Sequence, residues 1–238
     1  MPRFDAIFWD FDGTLVYSHR LWPSAALEAL LALAPDFPMD LEQMRPLMRD
    51  FYPWDLPEEQ YRTIRGADWW RFMEPQFAEA YRRGGVEAGL ARRAAQGVRQ
   101  RILQPEKYCL FEDTVWALAR CKSQGIRNIL VSNNYPELPA IVEKLGLSPY
   151  LDGMAVSGLL GWDKPRAEIF QYAQRLAGPG ARCLMAGDNP QADIGGAQAL
   201  GIPAALVHRP CPPECKPDYQ AETLVQLLEQ LERKGSGE

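Results

Sequence analysis

The sequence predicts an α/β protein, in which a parallel sheet is flanked by helices and an α-helical cap domain is inserted after the first strand. Three observations support this class. A strand-like apolar run begins almost at the N-terminus, residues 108–238 alternate short apolar strands with helices, and residues 41–103 stay helical in period without a convincing strand. The chain of 238 residues, 47% of them hydrophobic, is long enough to bury such a core.

The first predicted strand, Phe4–Trp9, ends in two acidic residues. Asp10 and Asp12 lie two positions apart, and Gly13 then permits a sharp turn. Because side chains alternate along a strand, both carboxylates should face the same side. Two like charges at this distance repel each other, so a metal ion is the expected partner that neutralises them.

The cap domain is predicted over residues 16–107, which leaves residues 1–15 and 108–238 for the core. The segment Pro23–Leu33 has amphipathic helical spacing, and residues 41–103 stay helical in period. An insertion of this length is too long for a loop. We expect helix breaks at Pro53, Pro57, Pro75 and Gly84–Gly85, and hinges near Val16–Trp22 and Gln104–Cys109.

Strands and helices alternate regularly through residues 108–238. This rhythm predicts parallel strands joined by right-handed crossovers. The predicted strands are Asn128–Val131, Gly153–Ser157, Arg182–Ala186 and Ile202–Val207. The predicted helices are Phe111–Gln124 (with Asp113 in its first turn), Pro136–Leu145, Ala167–Ala177, Ala192–Leu200 and Ala221–Arg233, and Gly158–Lys164 is predicted to be a loop.

Polar side chains follow the other predicted strands where each one ends. Ser132 and Asn133 follow the second strand, Lys164 lies in the loop after the third, and Asp188 follows the fourth, with Asp193 five residues later. Because the ligand site of a parallel sheet lies beyond the carboxyl ends of its strands, these groups should meet the two aspartates of the first strand. Carboxylates, a hydroxyl and an ammonium suit an Mg²⁺ ion that also binds phosphate oxygens.

Four motifs occur in order at these strand ends. They are Asp10-Phe11-Asp12-Gly13-Thr14-Leu15, Ile129-Leu130-Val131-Ser132-Asn133, Lys164-Pro165, and Gly187-Asp188 through Asp193. The set resembles the haloacid dehalogenase-like (HAD) hydrolase superfamily, in its phosphatase branch of phosphoglycolate phosphatase-like enzymes. The motifs cover a Rossmann-like core, whereas residues 16–107 match the family's cap in position and character only. The resemblance implies an Mg²⁺-dependent phosphatase that hydrolyses a small-molecule phosphate monoester.

The resemblance assigns the chemistry to the first two aspartates. Asp10 would be the nucleophile that attacks phosphorus and forms an aspartyl-phosphate. Asp12 would protonate the leaving oxygen and would then take a proton from the water that hydrolyses the intermediate. An aspartate at that place also favours a phosphate ester over a haloacid substrate, because only the ester has a leaving alkoxide to protonate.

The implied metal site uses the aspartates of the first and fourth strands. Mg²⁺ would lie between Asp10, the backbone carbonyl of Asp12, Asp188 and the phosphate. Asp193 belongs to the same metal group, more as a residue that orients metal-bound waters or Lys164 than as a direct ligand.

The implied phosphate site uses the hydroxyl and the ammonium. Ser132 and the neighbouring amide at Asn133 would hydrogen-bond one phosphoryl oxygen, and Lys164 would neutralise another. Thr14 is a further candidate substrate-binding residue, which would fix the turn and reach Asp12. A plain turn threonine is an equally good interpretation.

Two other functions stay open on the sequence. A sugar phosphomutase of the same superfamily would need an additional acid or base from the cap, and the offset of His19 from Asp10 does not match that pattern. A catalytically silent HAD-fold interaction module would have no need for Asp10, Asp12, Lys164 and Asp188 together.

Substrate choice should depend on the cap, since the core recognises only the phosphate. Arg62, Arg65 and Arg71, together with Trp69 and Trp70, form its densest cationic and aromatic group, and we take Arg65 as a substrate-binding candidate. The alternative is that these tryptophans are cap core and the arginines a solvated face.

Charge and hydropathy limit the possible partners and location. A formal net charge of −5 argues against nucleic-acid and anionic-membrane partners. No apolar run approaches the length of a membrane span, and Asp10 interrupts any signal-peptide core. We therefore expect a cytoplasmic protein, either monomeric or a homodimer, whose partner is a small phosphate ester.

The five cysteines do not form a disulfide pattern, being odd in number and scattered. His208, Cys211 and Cys215 are the one cluster with zinc-ligand residue types. Three candidate ligands among prolines fall short of a closed zinc site, so a stiff loop with incidental thiols is the favoured interpretation.

Overall fold

A computed structural model describes residues 4–18, 20–55 and 62–235 of the chain. The chain divides into two compact units, a core of residues 1–17 and 109–238 and a cap of residues 18–108. Both boundaries fall within two residues of those expected from the sequence. His19 and Pro57 lie outside the described residues.

Six strands form the main sheet of the core, in the order β5-β4-β1-β6-β7-β8, with every neighbouring pair parallel. They are β1 (Ala6–Trp9), β4 (Arg127–Ser132), β5 (Gly153–Val156), β6 (Cys183–Gly187), β7 (Ala204–Val207) and β8 (Tyr219–Ala221). The predicted parallel α/β class is therefore confirmed.

The position of β1 in this sheet determines where a site can form. Trp9, its last residue, pairs with Leu130 of β4 on one side and with Ala186 of β6 on the other. The chain extends the sheet outward through β4 and β5 and then returns to build β6, β7 and β8 on the opposite side of β1. Such a reversal opens a crevice at the carboxyl ends of the central strands.

The helices of the core cover both faces of the sheet. Ile169 and Phe170 pack with Phe8, Val131 and other buried residues on one face. The helix Thr114–Ser123 contacts β4, and the helix Leu224–Gly235 contacts β7. Burial on both faces explains why β1 and β7 are apolar throughout. The core helices are α5 (Thr114–Ser123), α6 (Leu138–Lys144), α7 (Ser157–Leu160), α8 (Ala167–Ala177), α9 (Gly196–Gln198) and α10 (Leu224–Gly235), with a π-helical turn at Pro190–Gly195.

The cap consists of α1 (Leu21–Leu31), α2 (Leu41–Leu47), α3 (Ala67–Arg83) and α4 (Ala88–Ile102) among its described residues. α4 packs against both α1 and α3. Trp69 has no exposed surface, and its ring lies 6.0 Å from that of Trp22 and 4.7 Å from that of Trp70. Trp69 and Trp70 thus belong to the hydrophobic core of the cap, in agreement with the alternative interpretation that the sequence analysis gave for them.

Four local predictions were wrong. Residues 158–160, expected as part of a loop, belong to α7. Pro75 lies inside α3 and does not break it, because packing of the flanking Trp69, Met73 and Phe77 outweighs the roughly 3 kcal/mol that an internal proline costs. Residues 192–200 form a π-helical turn followed by one short helix. Ala221 ends β8 instead of beginning the last helix.

The two segments expected as hinges contain a short antiparallel ladder. β2 (Val16–Tyr17) pairs with β3 (Cys109–Leu110), where the chain leaves and re-enters the core. Two-residue strands are too short for a periodic signal, so the sequence does not reveal them.

Asp113 has a role that its position does not suggest. It occupies the N-cap position of α5, but its side chain makes no capping bond there. Its carboxylate instead accepts hydrogen bonds from the backbone N–H groups of Leu224 and Val225, at 2.7 and 3.2 Å. It therefore caps the start of α10, a contact between segments that are distant in sequence.

Candidate active site

Asp10 lies at the end of β1, and 8% of its surface is exposed. Its backbone N–H donates to the carbonyl of Ala186, so the residue continues the sheet pairing one step beyond the strand. Burial raises the pKa of its carboxyl well above the ordinary value, Lys164 opposes that shift, and Asp193 and Asp188 add to it. The carboxyl group is thus shielded from water, and its ionisation depends on a neighbouring cation.

Lys164 supplies that cation. Its Nζ lies 2.7 Å from Oδ1 of Asp10 and 2.6 Å from Oδ1 of Asp193, and only 3% of the residue is exposed. Burial by itself would lower the pKa of the lysine, but the two carboxylates outweigh this effect and the pKa is raised. The side chain is therefore an ammonium ion at neutral pH.

Asn133 fixes the backbone that carries Lys164. Its Nδ2 donates to the Lys164 carbonyl at 2.8 Å, and its Oδ1 accepts from the Lys164 N–H at 2.7 Å. This two-point clamp joins the end of β4 to the loop after α7. The side chain predicted to bind substrate is thus committed to positioning Lys164, and the backbone amide of Asn133 is what remains for a phosphate.

Asp193 lies in the π-helical turn after β6 and has no exposed surface. Its Oδ2 accepts from the Asn189 N–H at 2.9 Å, and its Oδ1 faces Lys164. An added Cβ at Gly187 would lie 2.2 Å from Oδ2 of Asp193, so only glycine fits there. A π-helical turn next to a strand end is a feature often found at functional sites.

Asp188 is the most open carboxylate of the group, with 20% of its side chain exposed. Burial and the neighbouring Asp193 raise its pKa to about 6, against the opposing effect of Arg209, whose Nη2 lies 3.3 Å from Oδ2. Gly13 approaches the carboxylate so closely that an added Cβ would lie 2.5 Å from its Cγ.

The three carboxylates of Asp10, Asp188 and Asp193 form a possible metal site. Each offers one oxygen, and these oxygens lie within 4.8 Å of one another. Among the residues that the structure describes, no other group of three or more histidine, cysteine or acidic side chains is arranged in this way. Hard oxygen donors with excess negative charge, and the raised pKa of Asp188, fit a divalent cation such as Mg²⁺.

Asp12 stands apart from this cluster. Its side chain is partly buried, and it is not among the carboxylates that converge on the metal position. Oδ2 instead accepts a hydrogen bond from Nδ2 of Asn134 at 2.7 Å. The Asp12 carboxylate thus has a polar partner of its own, Asn134, and is not one of the three converging carboxylates.

Asn134 was missed by the sequence analysis. Its amide also lies 3.5 Å from Oγ of Ser132, the predicted phosphate ligand, and both side chains are buried. The residue directly follows Ser132 and Asn133 at the end of β4, and this position is the signal that could have identified it.

Two predicted substrate-binding residues have other surroundings. Thr14 has no exposed surface, and its hydroxyl makes no hydrogen bond to any atom of the described residues, so it neither reaches Asp12 nor faces a substrate. Arg65 is an exposed residue of the cap, and its contact with substrate stays a prediction. Arg71, suggested with it, pairs with Asp68 at 2.7 Å.

The cluster of His208, Cys211 and Cys215 is not a three-ligand metal site. The two ring nitrogens of His208 lie 3.0 and 3.1 Å from the backbone carbonyls of Glu222 and Thr14, and its ring stacks on Phe111. Because both nitrogens are occupied, the histidine anchors the loop after β7 instead of joining the thiols. The favoured interpretation as a stiff loop agrees with this geometry.

The comparison with known families decides the classification of the chain. The sequence model described as haloacid dehalogenase-like hydrolase matches residues 4–201. The chain belongs to this family. The family resemblance that the four motifs indicated is thereby confirmed.

Relatives with assigned names match part of this HAD hydrolase. A phosphoserine phosphatase of Thermus thermophilus is 31% identical over 164 residues, which cover 66% of this chain and 64% of the relative. The haloacid dehalogenase-like hydrolase domain-containing protein 3 of Bos taurus is 29% identical over 170 residues, 68% of this chain and 65% of the relative. The chain thus spans somewhat less than two thirds of the length of these relatives.

A solved structure supports the fold over nearly the whole HAD chain. The Bacillus subtilis protein YfnB has a TM-score of 0.73 and 21% identity, and the match covers 96% of this chain and 99% of that one. In the described part of the chain, no helix is both long enough and apolar enough to span a membrane.

Proposed function

We propose that the chain is an Mg²⁺-dependent phosphatase that hydrolyses a small-molecule phosphate monoester through an aspartyl-phosphate on Asp10. The observation that carries the proposal is the buried contact of 2.7 Å between Asp10 and Lys164, inside a group of three converging carboxylates. The ammonium of Lys164 favours the ionised form of Asp10, so the pair provides both a nucleophile and a counter-charge for an incoming phosphate.

The first step is attack by a carboxylate oxygen of Asp10 on phosphorus. The bond to the ester oxygen breaks, and Asp12 gives its proton to that leaving oxygen. Lys164 faces the nucleophile and is placed to neutralise a phosphoryl oxygen as negative charge builds up.

The second step regenerates the enzyme. Asp12, now ionised, takes a proton from a water molecule, and the resulting hydroxide attacks phosphorus of the aspartyl-phosphate. Inorganic phosphate leaves, Asp10 returns to a carboxylate, and Asp12 is again protonated. One residue therefore serves as acid and then as base, which requires its side chain to stay off the metal.

The metal would be held by the side chains of Asp10 and Asp188, with Asp193 supporting the site through Lys164 and the π-helical turn. When bound, Mg²⁺ supplies positive charge that screens the repulsion between the nucleophile and the phosphate. The relatives support both parts of the proposal, since one is named phosphoserine phosphatase and YfnB was crystallised with magnesium bound.

Phosphate release tests the proposal. The purified chain is incubated with 4-nitrophenyl phosphate and a panel of sugar, amino-acid, carboxylic-acid and nucleoside phosphates, with Mg²⁺ or with a chelator. We expect metal-dependent release, and the ranking of the panel identifies the group that the cap recognises. A folded, Mg²⁺-loaded protein that releases phosphate from no ester would refute the proposal, and stimulation by a sugar bisphosphate would favour a mutase.

A further inference from the structure

Asn134 contacts the two side chains that would act on opposite sides of the scissile bond. Its Nδ2 lies 2.7 Å from Oδ2 of Asp12 and 3.5 Å from Oγ of Ser132. Only 3% of the residue is exposed, so water does not compete for these contacts. An amide in this position controls where the Asp12 carboxylate points.

The orientation of the Asn134 amide follows from its neighbours. Its Oδ1 accepts a hydrogen bond from the Tyr135 backbone N–H at 3.1 Å, which leaves the NH₂ group for Asp12. A flipped amide would place an oxygen against a carboxylate oxygen and an NH₂ group against an N–H group. Both contacts would be repulsive, so the assignment of a donor to Asp12 is secure.

The backbone of Asn134 is fixed independently of its side chain. Its N–H donates to Oγ of Ser157 at 2.9 Å, and the Ser157 hydroxyl donates to the Asn134 carbonyl at 3.1 Å. A second carbonyl contact comes from the N–H of Gly158 at 2.9 Å. The loop after β4 is thus held by α7. The backbone contacts of Asn134 do not depend on its side-chain amide, which is left to contact Asp12.

We propose that Asn134 is a positioning residue that holds the Asp12 carboxyl group towards the leaving oxygen, and so equips this site for esters of alcohols. This inference rests on the proposed phosphatase function. An alkoxide is a poor leaving group and needs a proton as the bond breaks, whereas an acidic phenol leaves without help. If its side chain could rotate freely, Asp12 would also be attracted to the metal position beside Asp10, where its carboxylate could not transfer a proton.

Substituted phenyl phosphates test this role, because they share one shape and differ in the acidity of the phenol. The measured quantity is the dependence of kcat/KM on that acidity, with Mg²⁺ saturating. Asn134→Ala removes the donor and the side chain with it, and Asn134→Leu keeps the branched shape of the side chain while removing the donor. Ser157→Ala is the matched control, since it loosens the same loop without touching Asp12.

We expect both Asn134 variants to lose activity steeply as the phenol becomes less acidic. The loss should be at least about tenfold on the poorest leaving group, part of the ~10²–10⁴-fold that a positioned general acid contributes. Ser157→Ala should lower activity by a similar factor across the series. Melting temperatures of all variants show that each is folded, and Asn134→Leu remains informative if Asn134→Ala unfolds.

Equal losses across the series in a folded Asn134 variant would overturn the inference, since a merely structural residue affects every ester alike. The proposed function fails in a different way. A wild-type protein that releases phosphate from neither this series nor the metabolite panel overturns the phosphatase function and this inference with it, whereas an active wild type with parallel losses overturns the role of Asn134 alone.

Discussion

The ammonium of Lys164 lies 2.6 Å from a carboxylate oxygen of Asp193, although neither side chain has more than 2% of its surface exposed. The same ammonium lies 2.7 Å from Asp10. One buried cation therefore compensates two buried carboxylates, and it does so at the point where the sequence motifs from three different strand ends meet.

Lys164→Met should destabilise the metal-free protein. The substitution keeps the length of the side chain but leaves two buried carboxylates without their cation, which typically costs about 3–5 kcal/mol in unfolding free energy. Denaturant melts of both proteins in a chelator measure the loss. Mg²⁺ should restore part of it, because the ion supplies the missing positive charge.

Lys122→Met is the control for this experiment. Lys122 is an exposed lysine of the same core whose Nζ donates to the Pro149 carbonyl, so its loss should change the unfolding free energy by less than about 1 kcal/mol. Similar losses in both variants would show that Lys164 is not electrostatically coupled to the carboxylates.

Asp10→Asn should abolish phosphate release while the fold survives. The amide has the shape of the carboxylate but cannot attack phosphorus, and the loss should exceed about 10³-fold, as for other nucleophiles of covalent catalysis. Turnover is measured together with circular dichroism and the melting temperature. Retained activity in a folded Asp10→Asn protein would remove Asp10 from the mechanism.

The sequence predicted that four polar side chains meet at one edge of the sheet, because parallel-sheet topology alone brings them together. Asp10 and Asp188 directly follow β1 and β6, Asp193 lies in the turn after β6, and Lys164 lies in the loop that follows β5 and α7. The carboxyl ends of parallel strands share one edge of the sheet. Their meeting needs no knowledge of rotamers. The fold class followed from the same alternation of strands and helices, and it agrees with the six-stranded sheet.

Asn134, Thr14 and Asp113 could not be assigned in this way. Their roles depend on where a loop side chain points, which is decided by packing between segments more than a hundred residues apart, as for Asn134 with Asp12 and Asp113 with Leu224. Sequence periodicity carries no information about such contacts. Thr14 resembles a turn residue that reaches its neighbour, yet the turn directs it into the core.

The stabilising effect of Mg²⁺ should depend on pH. The pKa of Asp188 is raised by burial to about 6, above the value of an unfolded aspartate, so its ionisation in the metal-free fold is unfavourable and destabilises the protein as pH rises through about 6. Mg²⁺ removes this penalty by binding the carboxylate. The increase in melting temperature on adding Mg²⁺ should therefore be large at pH 7.5 and shrink below about pH 6.

Asp188→Asn is the matched variant for the pH experiment. Its amide does not titrate, so the remaining Mg²⁺ effect should be smaller and should lose the step near pH 6. A wild-type Mg²⁺ effect that is constant from pH 5 to pH 8 would contradict the assignment of Asp188 as a ligand.

Gly13→Ala should weaken Mg²⁺ binding without touching a ligand directly. Gly13 has φ +83°, and its added Cβ would lie 2.5–2.8 Å from three atoms of the Asp188 carboxylate, which must therefore move. Displacing a residue that orients a metal ligand typically costs about 10–100-fold in metal affinity. Titration calorimetry with Mg²⁺ measures the change directly, without need of a substrate.

Gly125→Ala separates this displacement from backbone strain. Gly125 also has positive φ, +75°, but nothing lies within 4 Å of its added Cβ. Both substitutions carry the ~1–2 kcal/mol penalty of an L-residue in the left-handed region, so both should lower the melting temperature. Only Gly13→Ala should lower Mg²⁺ affinity, because only that Cβ reaches a carboxylate of the cluster. Equal Mg²⁺ affinities in the two variants would show that Asp188 is not a ligand of the ion.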